Sequence, residues 1–151
     1  MTAVLSLGSN LGDREAHLRG ALALLRPYAV SSVWETAPVG GVEQDDYLNV
    51  VALADLDAVR AWELAEQAER AAGRTRTVRW GPRTLDVDVV DAPPPVPPGL
   101  VVPHPRAAER AFVLAPWLEV DPAAVLPGSG PVADLLAAVG TTGVRRRGAL
   151  A

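Results

Sequence analysis

Apolar and polar positions along the chain switch between a helical and a strand period, and each switch marks an element. Residues 3–7 form a short apolar run ending at Gly8, which reads as a strand. Ser9, Asn10, Gly12 and Asp13 make a turn. Asp13 is placed to cap a helix in which Leu18, Ala21, Leu22 and Leu25 recur at helical spacing before Pro27 closes it. Two β-type runs follow at 28–36 and 47–54, joined by a connection longer than a tight hairpin needs. Residues 58–72 carry the clearest helical pattern: Ala58, Ala61, Trp62, Leu64, Ala65, Ala68 and Ala72 share an arc. Arg60, Glu63, Glu66, Gln67 and Arg70 lie opposite, and Gly73 supplies the stop. Glu69 breaks this sorting. It sits at the border of the apolar arc, where a desolvated carboxylate needs a partner.

Residues 85–90 alternate as a strand, with Leu85, Val87 and Val89 on one face and Asp86 and Asp88 on the other. A proline-rich extended connector follows at 91–99, then one more short strand at 100–102 and a short helix at 106–109. The segment 112–117 leads to a helix at 132–139 framed by Pro131 and Gly140. Residues 141–151, with Arg145, Arg146 and Arg147, read as a flexible, solvated tail beyond a single domain at 1–140. The order β-α-β-β-α-β predicts an α+β sandwich: a ferredoxin-like antiparallel sheet with helices packed on its faces, mostly on one.

Composition narrows the chemistry. The chain has 151 residues, 49% hydrophobic, enough for one core and too few for two comfortable ones. It has no cysteine, no basic leader and no long apolar segment, so neither a signal peptide, a membrane span nor a disulfide is expected, and a cytoplasmic address fits. Net charge is -4, which argues against a general polyanion-binding surface. All fourteen cations are arginine. Mechanisms that need a lysine, such as a P-loop clamp or a Schiff base, are therefore excluded.

Arg74, Arg76, Arg79 and Arg83 fall within ten residues with no acid before Asp86. Such a cluster repels itself unless an anion sits in it, and arginine forks suit phosphate oxygens. Asp86 and Asp88, about 6.5 Å apart at i and i+2 of a strand, suit a pair of magnesium ions completed by substrate phosphates. Each feature alone has a plainer reading, a solvated edge strand for the carboxylates and an RNA-binding patch for the arginines. Trp80 amid the arginines covers a ring ligand or anchors a loop, and His104 is held rigidly between Pro103 and Pro105 beside Arg110. Tyr47 and Asn49 share a strand face, where an aromatic plane beside a carboxamide can hold a flat heterocycle. Phe112 offers a second plane, and a core tyrosine is the alternative.

Together these residues resemble one family. The matching segments are Leu7-Gly8-Ser9-Asn10-Leu11-Gly12-Asp13-Arg14, Glu35-Thr36-Ala37-Pro38-Val39-Gly40, Asp46-Tyr47-Leu48-Asn49-Val50-Val51, and Gly73-Arg74-x-Arg76 followed by Arg79-Trp80-Gly81-Pro82-Arg83-Thr84-Leu85-Asp86-Val87-Asp88. Val102-Pro103-His104-Pro105-Arg106 and Glu109-Arg110-Ala111-Phe112-Val113-Leu114 complete the set. The string ending in Asp88 is highly specific, and the order and identity of the segments are similar to those of the 6-hydroxymethyl-7,8-dihydropterin pyrophosphokinases of folate biosynthesis. The resemblance implies transfer of diphosphate from ATP to the pterin hydroxymethyl group, releasing AMP. It also implies two Mg²⁺ ions on Asp86 and Asp88, and ATP phosphates served by Arg74, Arg76, Arg83, His104 and Arg110. Trp80 would close over the site and Glu69 would lie near the nucleotide. Tyr47 and Phe112 would sandwich the pterin, with Asn49 and the backbone from Thr36 through Pro38 and Val39 reading its edge. The Gly8–Asp13 segment and the long loops would move as lids. The partners implied are these two small molecules, with neither nucleic acid nor membrane, and a monomer is expected. The competing reading is a non-catalytic nucleotide-sensing domain on the same ferredoxin-like sheet.

Overall fold

A computed structural model describes residues 2–37, 45–73 and 84–150. Its main sheet has the strands β1 (Ala3–Ser9), β2 (Ala29–Val30), β3 (Val33–Thr36), β4 (Tyr47–Ala54), β5 (Asp86–Asp91) and β8 (Val144–Gly148). The order is β5-β1-β4-β3-β8 with β2 also on β4, and every pairing is antiparallel. The first four positions of that order are those of a ferredoxin-like sheet.

Alternation sorts the strands onto two cores. Leu5 and Leu7 of β1, Leu48 and Val50 of β4, and Val87 and Val89 of β5 face α1 (Arg14–Leu25) and α2 (Ala58–Ala71). Fully burying each such side chain contributes roughly 1.5–3 kcal/mol. Asp13 caps α1 by accepting from the Ala16 N–H at 3.1 Å, as its position predicted. Val4, Val51, Leu53 and Val90 face the other way, onto α3 (Ala111–Val120), α4 (Val132–Val139) and a small hairpin, β6 (Val125–Leu126) with β7 (Gly130–Pro131). Helices are therefore shared between the faces, two on each, rather than gathered mostly on one. The second face needs cover because β4 is buried on both sides, so a single helical layer would leave Val51 and Leu53 in water.

Three local expectations change. The run at 28–36 is divided into β2 and β3 by Ser31 and Ser32, where the Ser31 hydroxyl takes the Val51 N–H at 2.9 Å. Residues 100–102 form no strand, and Val101 is exposed. The arginine-rich segment expected to fray is strand β8, laid against β3 with Val144 opposite Thr36 and Arg146 opposite Trp34. Its three arginines each meet a carboxylate: Arg145 with Glu35 at 3.1 Å, Arg147 with Glu35 at 4.0 Å, and Arg146 with Glu119 at 3.7 Å.

Candidate active site

The α3 layer covers only part of its sheet face. Beyond it lies a cleft of about 540 Å³ over the C-terminal end of β1 and the starts of β4 and β5, a size typical of small-molecule sites. Strand register explains which residues it exposes. Gly8 stands between Asp86 on one side and Asn49 on the other, and Ser6 stands opposite Asp88. One face of four adjacent strands thus presents Asp86 and Asp88, then Ser6 and Gly8, then Tyr47 and Asn49, then Thr36. At about 4.8 Å per strand the row is ~15 Å long.

One end of the row is ionic. Asp86 and Asp88 line the cleft as their alternation predicted, while Val87 and Val89 are buried behind them. Arg110, just ahead of α3, donates from Nη1 to Asp88 Oδ2 at 3.5 Å, with both side chains still partly open to solvent. The same guanidinium lies 5.5 Å from the centre of the Phe112 ring, so the charged end grades into the aromatic one. Arg106 and Glu109 complete that rim.

His104 stands just outside the described lining. Its backbone N–H donates to Val90 O at 2.7 Å, which anchors it beside β5. Its Nδ1 accepts the Arg106 N–H at 3.1 Å, so the neutral ring carries its proton on Nε2. Burial lowers its pKa, helped by the positive charges of Arg110 and Arg106 and opposed by Asp86. The ring is a neutral donor near pH 7.

The other end of the row suits a flat, polar heterocycle. Asn49 is 3% exposed. Its Nδ2 donates to Thr36 Oγ1 at 3.0 Å and to Trp34 O at 3.3 Å, which orients Oδ1 toward Gly8. Glycine at position 8 is a steric requirement, since a Cβ there would stand 2.9 Å from Asn49 Oδ1 and 3.3 Å from Tyr47 Cδ1. Asn10 and Arg14 tether the entry to β4 by donating to Asp45 O at 3.0 Å and Asp46 O at 2.9 Å. Ser9 and Asn10 are almost wholly buried, so this part of the segment expected to move as a lid is packed into the core.

Glu69 has a role the helical wheel did not show. Strand β5 is at the sheet edge, and Glu69 Oε2 accepts its Val87 N–H at 2.8 Å. The carboxylate therefore braces the segment between Asp86 and Asp88 from the helix side, and it is not among the cleft's described lining. Arg74, Arg76, Trp80, Arg83, Pro38 and Val39 lie outside the described residues. Tyr47, Asn49, Thr36, Phe112, Arg110, Asp86 and Asp88 come together around one cavity. Sequence reasoning missed Ser6 and the wall made by Val139, Gly140, Thr142, Gly143 and Val144.

The donor set also fits a divalent ion. Among the described residues no group of three or more His, Asp and Glu side chains converges. Two hard carboxylates facing one cleft are the incomplete set that magnesium adopts when substrate phosphates supply the remaining oxygens.

Fold and site together define a class: a ferredoxin-like α+β protein whose cleft pairs a carboxylate–arginine end with an aromatic–carboxamide end. Comparison with known proteins narrows the class. Residues 4–122 match the model of the 7,8-dihydro-6-hydroxymethylpterin-pyrophosphokinase (HPPK) family. The chain is 46% identical over 128 positions to the 2-amino-4-hydroxy-6-hydroxymethyldihydropteridine pyrophosphokinase of Bacillus subtilis, covering 78% of this chain and 77% of that one. It is 47% identical over 153 positions to the protein of the same name from Mycobacterium tuberculosis, covering 89% and 81%. The Methylorubrum extorquens protein of that name is 38% identical over 95% of this chain and 97% of its own. This chain belongs to the HPPK family.

Proposed function

We propose that the chain transfers a diphosphate group from ATP to 6-hydroxymethyl-7,8-dihydropterin, yielding AMP and the pterin diphosphate, as a step of folate biosynthesis. The observation that carries this reading is the convergence of Tyr47, Asn49 and Phe112 with Asp86 and Asp88 on one cavity. A nucleotide sensor has no use for the second half of that cleft.

Asn49 Oδ1 accepts a ring N–H while the Thr36 hydroxyl, already accepting from Asn49 Nδ2, donates to a neighbouring ring acceptor. Tyr47 and Phe112 supply the planes. The ring is thereby held at one end of the row, with its hydroxymethyl arm directed along the sheet toward the carboxylates. The hydroxyl oxygen of that arm attacks the β-phosphorus in line and releases its proton to solvent, the bond from that phosphorus to the α–β bridging oxygen breaks, and AMP leaves. Two magnesium ions, held by Asp86 and Asp88, would neutralise phosphate charge and orient the reacting oxygens. Arg110 and the Nε2–H of His104 donate to phosphate oxygens, and the resemblance adds Arg74, Arg76 and Arg83 to the phosphates, Trp80 to closure and Glu69 near the nucleotide. Positioning and charge neutralisation supply most of the acceleration.

No helix among the described residues is long and apolar enough to cross a membrane. The reading is tested by pterin-dependent consumption of ATP in the presence of Mg²⁺. Turnover that requires both pterin and Mg²⁺ supports it. Binding of ATP with no pterin-dependent turnover would select the sensor instead.

A further inference from the structure

The cleft wall farthest from the carboxylates comes from a part of the chain that the family model does not reach. That match ends at residue 122, yet Val139, Gly140, Thr142, Gly143 and Val144 line the cavity alongside Thr36 and Tyr47. The segment is built rather than draped. Gly140 ends α4 with its N–H on Leu136 O at 2.8 Å and a φ of 82, a conformation that favours glycine. The chain then turns through Val144 N–H on Thr141 O at 3.0 Å and enters β8, where Val144 lies opposite Thr36.

The arginines that follow set the register. Arg146 points to the cleft side of the sheet, toward Glu119 of α3. Arg145 and Arg147 point to the other side, where Arg145 spans Glu35 at 3.1 Å and Asp46 at 3.8 Å. Glu35 and Asp46 flank the residues that end β3 and begin β4, so one guanidinium joins the two strands that carry Thr36 and Tyr47. A slip of one residue would turn Arg145 into the ring-binding end of the cleft and take Arg146 away from Glu119. Arg145 is 70% exposed, so its worth lies in register more than in strength.

We propose that residues 139–148 form the outer wall of the ring-binding half of the cleft, with Arg145 the positioning residue that holds this wall against β3. The inference rests on the pyrophosphokinase reading and adds to it a specificity element from beyond the stretch that the family model matches. Pterin affinity should therefore depend on how β8 is seated, and nucleotide affinity should not.

The test uses the full chain carrying Arg145→Glu or Arg145→Lys. Binding of 6-hydroxymethylpterin and of a non-hydrolysable Mg-ATP analogue is measured by calorimetry, and backbone exchange of β8 by mass spectrometry. Arg145→Glu sets a carboxylate against Glu35 and Asp46; it is expected to speed exchange across β8 and weaken pterin binding about tenfold, with the ATP analogue within about twofold. Arg145→Lys should keep most of the pterin affinity. Faster exchange with unchanged pterin affinity would overturn the wall, and equal losses for both ligands would reduce Arg145 to a general structural role. Unchanged exchange would overturn Arg145 as the holding residue. A wild-type chain that binds the ATP analogue but no pterin would instead overturn the functional reading itself, which the variants leave distinguishable.

Discussion

Replacing Gly8 with alanine adds one methyl group at the most crowded point of the site. The new Cβ would stand 2.9 Å from Asn49 Oδ1 and 3.3 Å from Tyr47 Cδ1, inside ordinary contact distance for both and most severely for the first. Asn49 cannot yield freely, because its Nδ2 is held by Thr36 Oγ1 and Trp34 O and the residue is 3% exposed. Either those two hydrogen bonds break, at about 1 kcal/mol each, or β1 shifts against β4, with the 1–3 kcal/mol or so typical of overpacking. Both routes displace the amide assigned to the ring edge, and a loss of ~1.4–2.8 kcal/mol weakens pterin binding roughly 10- to 100-fold. The ionic end should be spared, so binding of an ATP analogue should stay within about twofold. Melting temperature should fall by only several degrees, at roughly 2–4 °C per kcal/mol for a chain of this size. Calorimetric titration of both ligands with Gly8→Ala decides the matter. Unchanged pterin affinity in a folded variant would refute the assignment of Asn49 and Tyr47 to the ring.

Other expectations follow from the same geometry. Asp86→Ala should lower kcat by about 10²–10³-fold while changing the melting temperature by no more than about 2 °C; a large loss of stability would make Asp86 a structural carboxylate. Glu69→Ala leaves the edge Val87 N–H without its acceptor, a loss of roughly 1–3 kcal/mol, and Glu69→Gln should recover most of it in thermal denaturation. Glu119 accepts from Ser32 Oγ at 2.6 Å, Ser32 N–H at 3.1 Å and Trp34 Nε1 at 2.9 Å. Burial raises its pKa, but these hydrogen bonds, with Arg146 behind them, outweigh burial and lower it from 4.5. A carboxylate with a lowered folded pKa contributes stability above its unfolded pKa and loses that contribution as pH falls through the folded value. Glu119→Gln should therefore destabilise by about 2 kcal/mol at pH 7, and by progressively less below pH 4.5. A destabilisation independent of pH would show that charge is not what Glu119 contributes.

Much of the architecture was legible because its signals are local. The Asp13 cap, the α2 arc and the Pro131–Gly140 frame of α4 each lie within one element. The facing of Asp86 and Asp88 follows from a strand period of two, and so does the burial of Leu85, Val87 and Val89. The convergence of Tyr47, Asn49, Phe112 and Arg110 is long-range; it was reached through family resemblance, because spacing alone favoured a core tyrosine. What escaped is non-local or without period. Strand β8 has a composition suited to solvent, and only its partners Glu35, Asp46 and Glu119 make three successive arginines an edge strand. Helix α3 is buried from Val113 through Trp117, so it offers no polar face to read. The Glu69–Val87 bond requires knowing that β5 is an edge strand, which no pattern in β5 itself reveals.

The most direct test of the account is the identity of the nucleotide product. Incubation of the chain with Mg-ATP and 6-hydroxymethyl-7,8-dihydropterin should release AMP in a one-to-one ratio with a pterin diphosphate, because the pterin oxygen attacks the β-phosphorus. Release of ADP with a pterin monophosphate would place the attack on the γ-phosphorus and contradict the account, and no pterin product at all would do the same.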